Sequence, residues 1–321
     1  MDQIQSKFKF TISTINNINN NINNNNKSNS IYFNREILCF SKEKRRVDLI
    51  TISSFDGIIN TREPLAKNYI YENGEKLNKR SFQFSKEKPV IFISCRVHPG
   101  ETPASFLMNG IIRFLINEKD PRAEILRKAF LFKIVPIINV DGVSRGYYRY
   151  DTNSLNMNRH YINPDKKTQP EIYAIKRIFI YYSQKSKIKF YFDLHAHASS
   201  KGLFLFGNNL EYLQQIENCV LPKIMEINCE YLNFLNCNFS ERSMRTKERG
   251  DKYSKEGTGR VYFHKSCDII HCYTVEASYF RGIYKGNLPK ELDLFKENFN
   301  PNLITSYNKD NLNSNINSNF K

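Results

Sequence analysis

Four nearly unbroken apolar runs constrain this chain most: Pro89-Val-Ile-Phe-Ile-Ser94, Phe130-Leu-Phe-Lys-Ile-Val-Pro-Ile-Ile138, Lys189-Phe-Tyr-Phe-Asp-Leu194 and Ile269-Ile-His-Cys-Tyr-Thr-Val275. Strands with this texture are covered on both faces, as in a parallel sheet between helices. Between the first two, Phe106, Leu107, Ile111, Phe114 and Leu115 recur at helical spacing within Thr102 to Asn117, and Pro170 to Ser183 is a second helix candidate. Glu36 to Ser41 and Val47 to Ser53 read as short strands of a hairpin opening the sheet. Strands alternating with helices predict an α/β fold.

The chain's 321 residues suit one large core rather than two full domains. Asn16 to Asn29 is almost entirely Asn with Ile, Lys and Ser, too poor in apolar surface to offset the entropy of ordering. We therefore divide the chain into an Asn-rich disordered segment over 1–30, one folded domain over 31–300 and an Asn-rich tail over 301–321. Seven cysteines, an odd number without a Cys-x-x-Cys pair, argue against a disulfide framework and a thiolate zinc site. With no apolar N-terminal core and no apolar run near ~18–20 residues, a cytoplasmic protein without membrane partners is expected. The net charge of +16 points toward anionic partners. No nucleic-acid-binding module accompanies that charge.

Polar residues gather where the apolar runs end: His98 after the first, Asn139 and Asp141 after the second, His195 at the third and Glu276 at the fourth. That is the carboxyl edge at which open α/β sheets bind ligands. His98 and Glu101, three residues apart, with His195 would give zinc two nitrogens and one carboxylate, leaving a fourth position open as in catalytic sites. His197 is the alternative third ligand. In the other familiar spacing, His-Glu-x-x-His, the glutamate is the base. Here it is a ligand, so the base is sought elsewhere. Glu276, ending an otherwise buried run, fills that role if it faces the site rather than a Lys or Arg partner. Arg149, Asn158 and Arg159 follow the second run, where arginine's planar fork suits a free carboxylate or an oxyanion.

Arg96-Val-His-Pro-Gly-Glu-Thr-Pro-Ala-Ser105, Asn139-Val-Asp-Gly-Val143, Asn156-Met-Asn-Arg-His-Tyr161, Phe192-Asp-Leu-His-Ala-His-Ala198 and Tyr273-Thr-Val-Glu276 together resemble the zinc metallocarboxypeptidase family. The resemblance runs from about Phe33 to Gly282 and is closer to the cytosolic carboxypeptidase branch, the tubulin deglutamylases. Asn238-Phe-Ser-Glu241 and Ser254-Lys-Glu-Gly-Thr-Gly-Arg260 resemble the member that removes branch-point glutamates. It implies an eight-stranded mixed sheet flanked by helices and one zinc on His98, Glu101 and His195. It also implies carbonyl polarisation by Arg149, carboxylate binding by Asn158 and Arg159, and Glu276 as general base. Arg249, Lys255 and Arg260 are candidates to meet a glutamate side chain. Val140 stands where the family often has Pro, and Asn156 where an Asp supports a zinc histidine. His264, with Tyr262 nearby, stands at the pocket tyrosine by an ungapped count. Leu288 to Glu297 is a helix candidate after the motifs. Cytosolic members add an N-terminal β-sandwich for which this chain has no room, so a shortened product is expected.

The resemblance implies removal of glutamate from acidic protein tails such as those of polyglutamylated tubulin, in the cytoplasm and at microtubules or cilia. A hydrolase of N-acyl amino acids, like the aspartoacylase relatives, is a second reading. A catalytically silent microtubule-binding protein is a third.

Overall fold

A computed structural model of the chain describes residues 31–64, 80–85, 87–184, 188–248 and 250–280. The sequence expectations for 1–30, for Arg249, for Leu288 to Glu297 and for the 301–321 tail lie outside these residues.

Strands β1 (Ile31–Phe40) and β2 (Arg46–Ser54) form the expected antiparallel hairpin. A ribbon of β3 (Ile58–Arg62) and β4 (Phe82–Phe84) lies apart from the main sheet. There follow β5 (Val90–Cys95), α1 (Thr102–Leu115), α2 (Pro121–Ala129), β6 (Leu131–Val135), α3 (Val140–Ser144) and α4 (Pro170–Ser183). Beyond them come β7 (Ile188–His197), β8 (Leu203–Phe206), α5 (Tyr212–Asn228), α6 (Glu241–Arg245), α7 (Gly259–Cys267) and β9 (His271–Ser278).

The main sheet has seven strands among the described residues, in the order β1-β2-β6-β5-β7-β9-β8, where the resemblance implies eight. Strands β6, β5, β7 and β9 pair in parallel; β2 and β8 are reversed, and β1, reversed again from β2, rejoins the common direction. The sheet is mixed and mostly parallel, as the continuous apolar runs predict.

Alternation along each strand feeds two cores. On one face Val90, Phe92, Leu131 and Tyr191 pack with Ile175 and Phe179 of α4 and Phe263 of α7. On the other Ile91, Ile93, Phe132 and Ile134 pack with Met108, Ile112 and Leu115 of α1, and Leu221 and Met225 of α5 lie against them. The one charge inside the β6 run, Lys133, is fully buried but paired, donating to Glu63 Oε1 at 2.7 Å and Thr51 Oγ1 at 2.8 Å. Burying an ammonium is tolerable only with such partners. Among the described residues no helix is long and apolar enough to cross a membrane.

Candidate metal centre and active site

The parallel strands β5, β7 and β9 deliver their carboxyl ends to one place. His98 lies in the loop after β5, which begins with Arg96 in the left-handed region at φ 58° and is braced by Arg96 Nε donating to Pro99 O at 3.1 Å. Gly100 donates its N–H to Tyr148 O at 2.7 Å, and a Cβ there would meet that same oxygen at 2.7 Å, so only glycine fits. The loop is thereby pinned to the segment carrying Arg149.

Glu101 occupies the N-cap position of α1 and makes no side-chain capping bond. Its carboxylate turns into the site instead, 2.7 Å from His98 Nδ1 and 2.9 Å from His195 Nδ1, and accepts from Ala196 N at 3.0 Å. Burial opposes its ionisation, but the two imidazoles hold it well below the ordinary carboxylate range.

One ligand atom from each of His98, Glu101 and His195 lies within 4.8 Å of the others, and all three residues are buried. The far nitrogens are already engaged: His98 Nε2 with Asn156 Oδ1 at 3.0 Å, and His195 Nε2 with Asp193 Oδ2 at 2.9 Å. These outer partners leave Nδ1 of each ring for a metal, the usual arrangement for a ligating histidine. Two imidazole nitrogens and a carboxylate oxygen fit a catalytic zinc. His197, the alternative ligand, instead accepts at Nδ1 from Ser199 N at 3.3 Å and Ser200 N at 3.2 Å.

His195 and Glu276 are inside β7 and β9 rather than beyond their ends, and they are direct partners in the parallel register. Glu276 is 9% exposed, and its buried Oε2 has no hydrogen-bond partner among the described residues. Burial pushes its carboxyl up to about 7, with Glu101 and Asp193 adding to the rise and His195 and Lys255 opposing it. A carboxyl poised this way accepts or gives a proton readily near neutral pH.

Both groups border a cavity of about 300 Å³ shared with Arg149, Asn158, Arg159, Lys255 and Arg260. The short helical turn Met157–Arg159 is capped by Asn156, whose side chain accepts from Asn158 N. Arg159 donates to Asp251 at 2.7 Å. Asn158 accepts from Gly259 N at 3.2 Å, with its Nδ2 3.4 Å from His195 Nε2. Arg260 lines the cavity, but its guanidinium donates to Gly207 O, to Asn208 Oδ1 at 2.8 Å and to Ser243 O at 3.2 Å. Those bonds commit it largely to the wall.

His264 is placed elsewhere: it does not line the cavity, and its Nδ1 is 3.0 Å from Ile269 O. It sits one turn beyond Arg260, about 6 Å farther along α7 and away from the site. Tyr262 is also outside the lining, which holds Tyr148 and Tyr279 instead. Sequence reasoning missed those two tyrosines, Glu248 and the buried Asp251. The polar stretch around Glu248 and Asp251 carries no periodicity to mark it.

A sequence profile described as zinc carboxypeptidase matches residues 18–218. The chain belongs to the zinc carboxypeptidase family. Cytosolic carboxypeptidase-like protein 5 of Danio rerio is 33% identical over 357 residues, covering 81% of this chain and 40% of that protein. Cytosolic carboxypeptidase 6 of Mus musculus is 34% identical over 262 residues, covering 80% of this chain and 42% of that protein. The chain thus spans well under half the length of these curated relatives. Among solved structures, a metallo-carboxypeptidase from Burkholderia cenocepacia shares the fold at a TM-score of 0.57 and 19% identity, covering 77% of this chain and 55% of that one. The family's zinc dependence agrees with the donor set of His98, Glu101 and His195.

Proposed function

We propose that the chain is a zinc-dependent carboxypeptidase that removes glutamate, C-terminal or at branch points, from acidic protein tails such as those of polyglutamylated tubulin. The observation that carries this reading is the convergence, in one cavity, of the His98–Glu101–His195 ligand set, the Glu276 carboxylate whose Oε2 has no hydrogen-bond partner among the described residues, and the cations Arg149 and Arg159.

Zinc, when bound by the three ligands, would polarise a carbonyl and acidify a water. Every other role belongs to the chain. Arg159, positioned by Asp251, and Asn158 hold the free carboxylate of the peptide end. Arg149, 3.9 Å from Glu101 Oε1, stabilises the charge that develops on the carbonyl oxygen. Glu276 takes a proton from the attacking water and passes it to the leaving amine as the C–N bond breaks. The cavity's cations, within a chain of net charge +16, draw anionic tails toward it. The names of the cytosolic relatives support a cytoplasmic location; microtubules or cilia are where polyglutamylated tubulin would be met.

The test is glutamate release from polyglutamylated tubulin and from a branched glutamyl peptide, with zinc quantified in the wild type and in Glu276→Gln. Release lost in the variant at unchanged zinc supports the reading. A folded, zinc-replete wild type that releases nothing would favour the silent microtubule-binding alternative.

A further inference from the structure

The anion-binding end of the cavity already holds a carboxylate. Glu248 Oε2 lies 2.7 Å from an Arg149 terminal nitrogen and 3.0 Å from one of Arg159, while its Oε1 lies 2.9 Å from Lys255 Nζ. One side chain thus takes donors from three cations that line the cavity. Burial works against its ionisation, yet Lys255, Arg159 and Arg149 hold Glu248 below the ordinary carboxylate range, so it sits there as an anion.

We propose that Glu248 is an internal occupant of the carboxylate seat, and that an acidic peptide end binds by displacing it. Two features make the exchange feasible. The Glu248 side chain is 38% exposed and reaches water by rotation about its own bonds, without leaving a buried charge behind. Arg159, only 3% exposed, keeps its separate partner Asp251 at 2.7 Å and stays in place when Glu248 leaves.

Charge decides what replaces it. Arg149, Arg159 and Lys255 supply three positive charges, against which Glu248 and Asp251 set two negative ones, the Glu101 carboxylate 3.9 Å from Arg149 being held more closely by His98 and His195. Removing Glu248 leaves an excess of two, which a ligand with two carboxylates neutralises and a monocarboxylate does not. A terminal glutamate offers such a pair, its α-carboxylate to Arg159 and its side chain to Lys255. Glu248 therefore lowers affinity for every carboxylate ligand by the same factor, and only the doubly charged end overcomes that competition. This inference rests on the carboxypeptidase reading for the nature of the ligand.

The test is calorimetric binding of glutarate and of butyrate to the full chain, wild type and Glu248→Gln, beside the glutamate-release assay. Glu248→Gln should bind glutarate about tenfold or more tightly than wild type, and Lys255→Ala should weaken glutarate more than butyrate. Affinity unchanged or weakened in a folded Glu248→Gln would overturn the proposal. Should that variant fail to fold, Glu248→Asp, one methylene shorter and less able to span the cations, should also tighten glutarate, and its failure to do so would count equally against it. Tighter glutarate without peptide turnover removes the peptidase reading alone; turnover with unaltered glutarate affinity in Glu248→Gln removes the displacement alone.

Discussion

Asp193 Oδ2 lies 2.9 Å from Nε2 of His195, and its Oδ1 accepts from Ser94 Oγ at 2.7 Å, so a buried carboxylate on the same strand fixes the ring whose Nδ1 faces Glu101 in the candidate metal centre. Asp193→Asn keeps the shape but removes the charge that favours this tautomer. Zinc affinity should fall about 10–100-fold, as for other outer-shell partners. Competition with a chelator reads the change directly.

On the proposed reading, Glu276→Gln removes the proton carrier and leaves the ligand set intact. Turnover of a glutamyl peptide should drop by roughly 10²–10⁴, the usual contribution of a general base, while zinc content and melting temperature stay near wild type. Loss of zinc in this variant would place Glu276 among the ligands instead.

Glu171, at the start of α4 and 4% exposed, has its carboxyl pushed up to about 8, chiefly by burial, with Asp141 and Asp151 adding to the rise. Because the native pKa is the higher one, the folded state binds more protons between the ordinary value of 4.5 and about 8, and stability falls as pH rises through that window. Glu171→Gln should therefore stabilise the protein on the order of 2 kcal/mol at about pH 8.5, with the gain shrinking as pH falls toward about 5. Urea denaturation at the two pH values checks the sign.

Gly257 packs against the backbone of the Met157–Arg159 turn, proposed to bind the peptide's carboxylate: a Cβ there would stand 2.1 Å from Arg159 O. Gly257→Ala must displace Arg159 or the turn that holds Gly257. The expected result is a rise in KM for acidic peptides of about tenfold, since small misplacements of a positioning group are costly. The kcat should change less, and steady-state kinetics separate the two.

The gathering of His98, Glu101, His195 and Glu276 at one place, and the central strands themselves, were legible because the apolar runs announce buried parallel strands and their polar ends fall on one edge of the sheet. Residues placed by loops were not. Glu248 reaches the cavity, and Asp251 reaches the Arg159 and Asn156 side chains, from the stretch after α6, where bonds across the fold, and no local pattern, decide position. His264 went astray because an ungapped count ignores the axis of α7. Strand β8, only four residues long, gave too short a signal. Helix α5 was hidden for a different reason: it carries Pro222 in its interior and exposes Leu213, Ile216, Val220, Ile224 and Ile227, so its sequence lacks the usual clean sidedness.

One continuous chain of hydrogen bonds links the two halves of the site. His98 Nε2 meets Asn156 Oδ1 at 3.0 Å, Asn156 Nδ2 donates to Asp251 at 3.0 Å, and Arg159 meets the same carboxylate at 2.7 Å. Arg159, proposed to hold a peptide's terminus, is thus tied through Asp251 and Asn156 to His98 of the candidate ligand set. On the proposed reading such a linkage would work as a ruler, its length setting how far from the free end the bond is cut, which separates an enzyme that trims tails from one that severs chains.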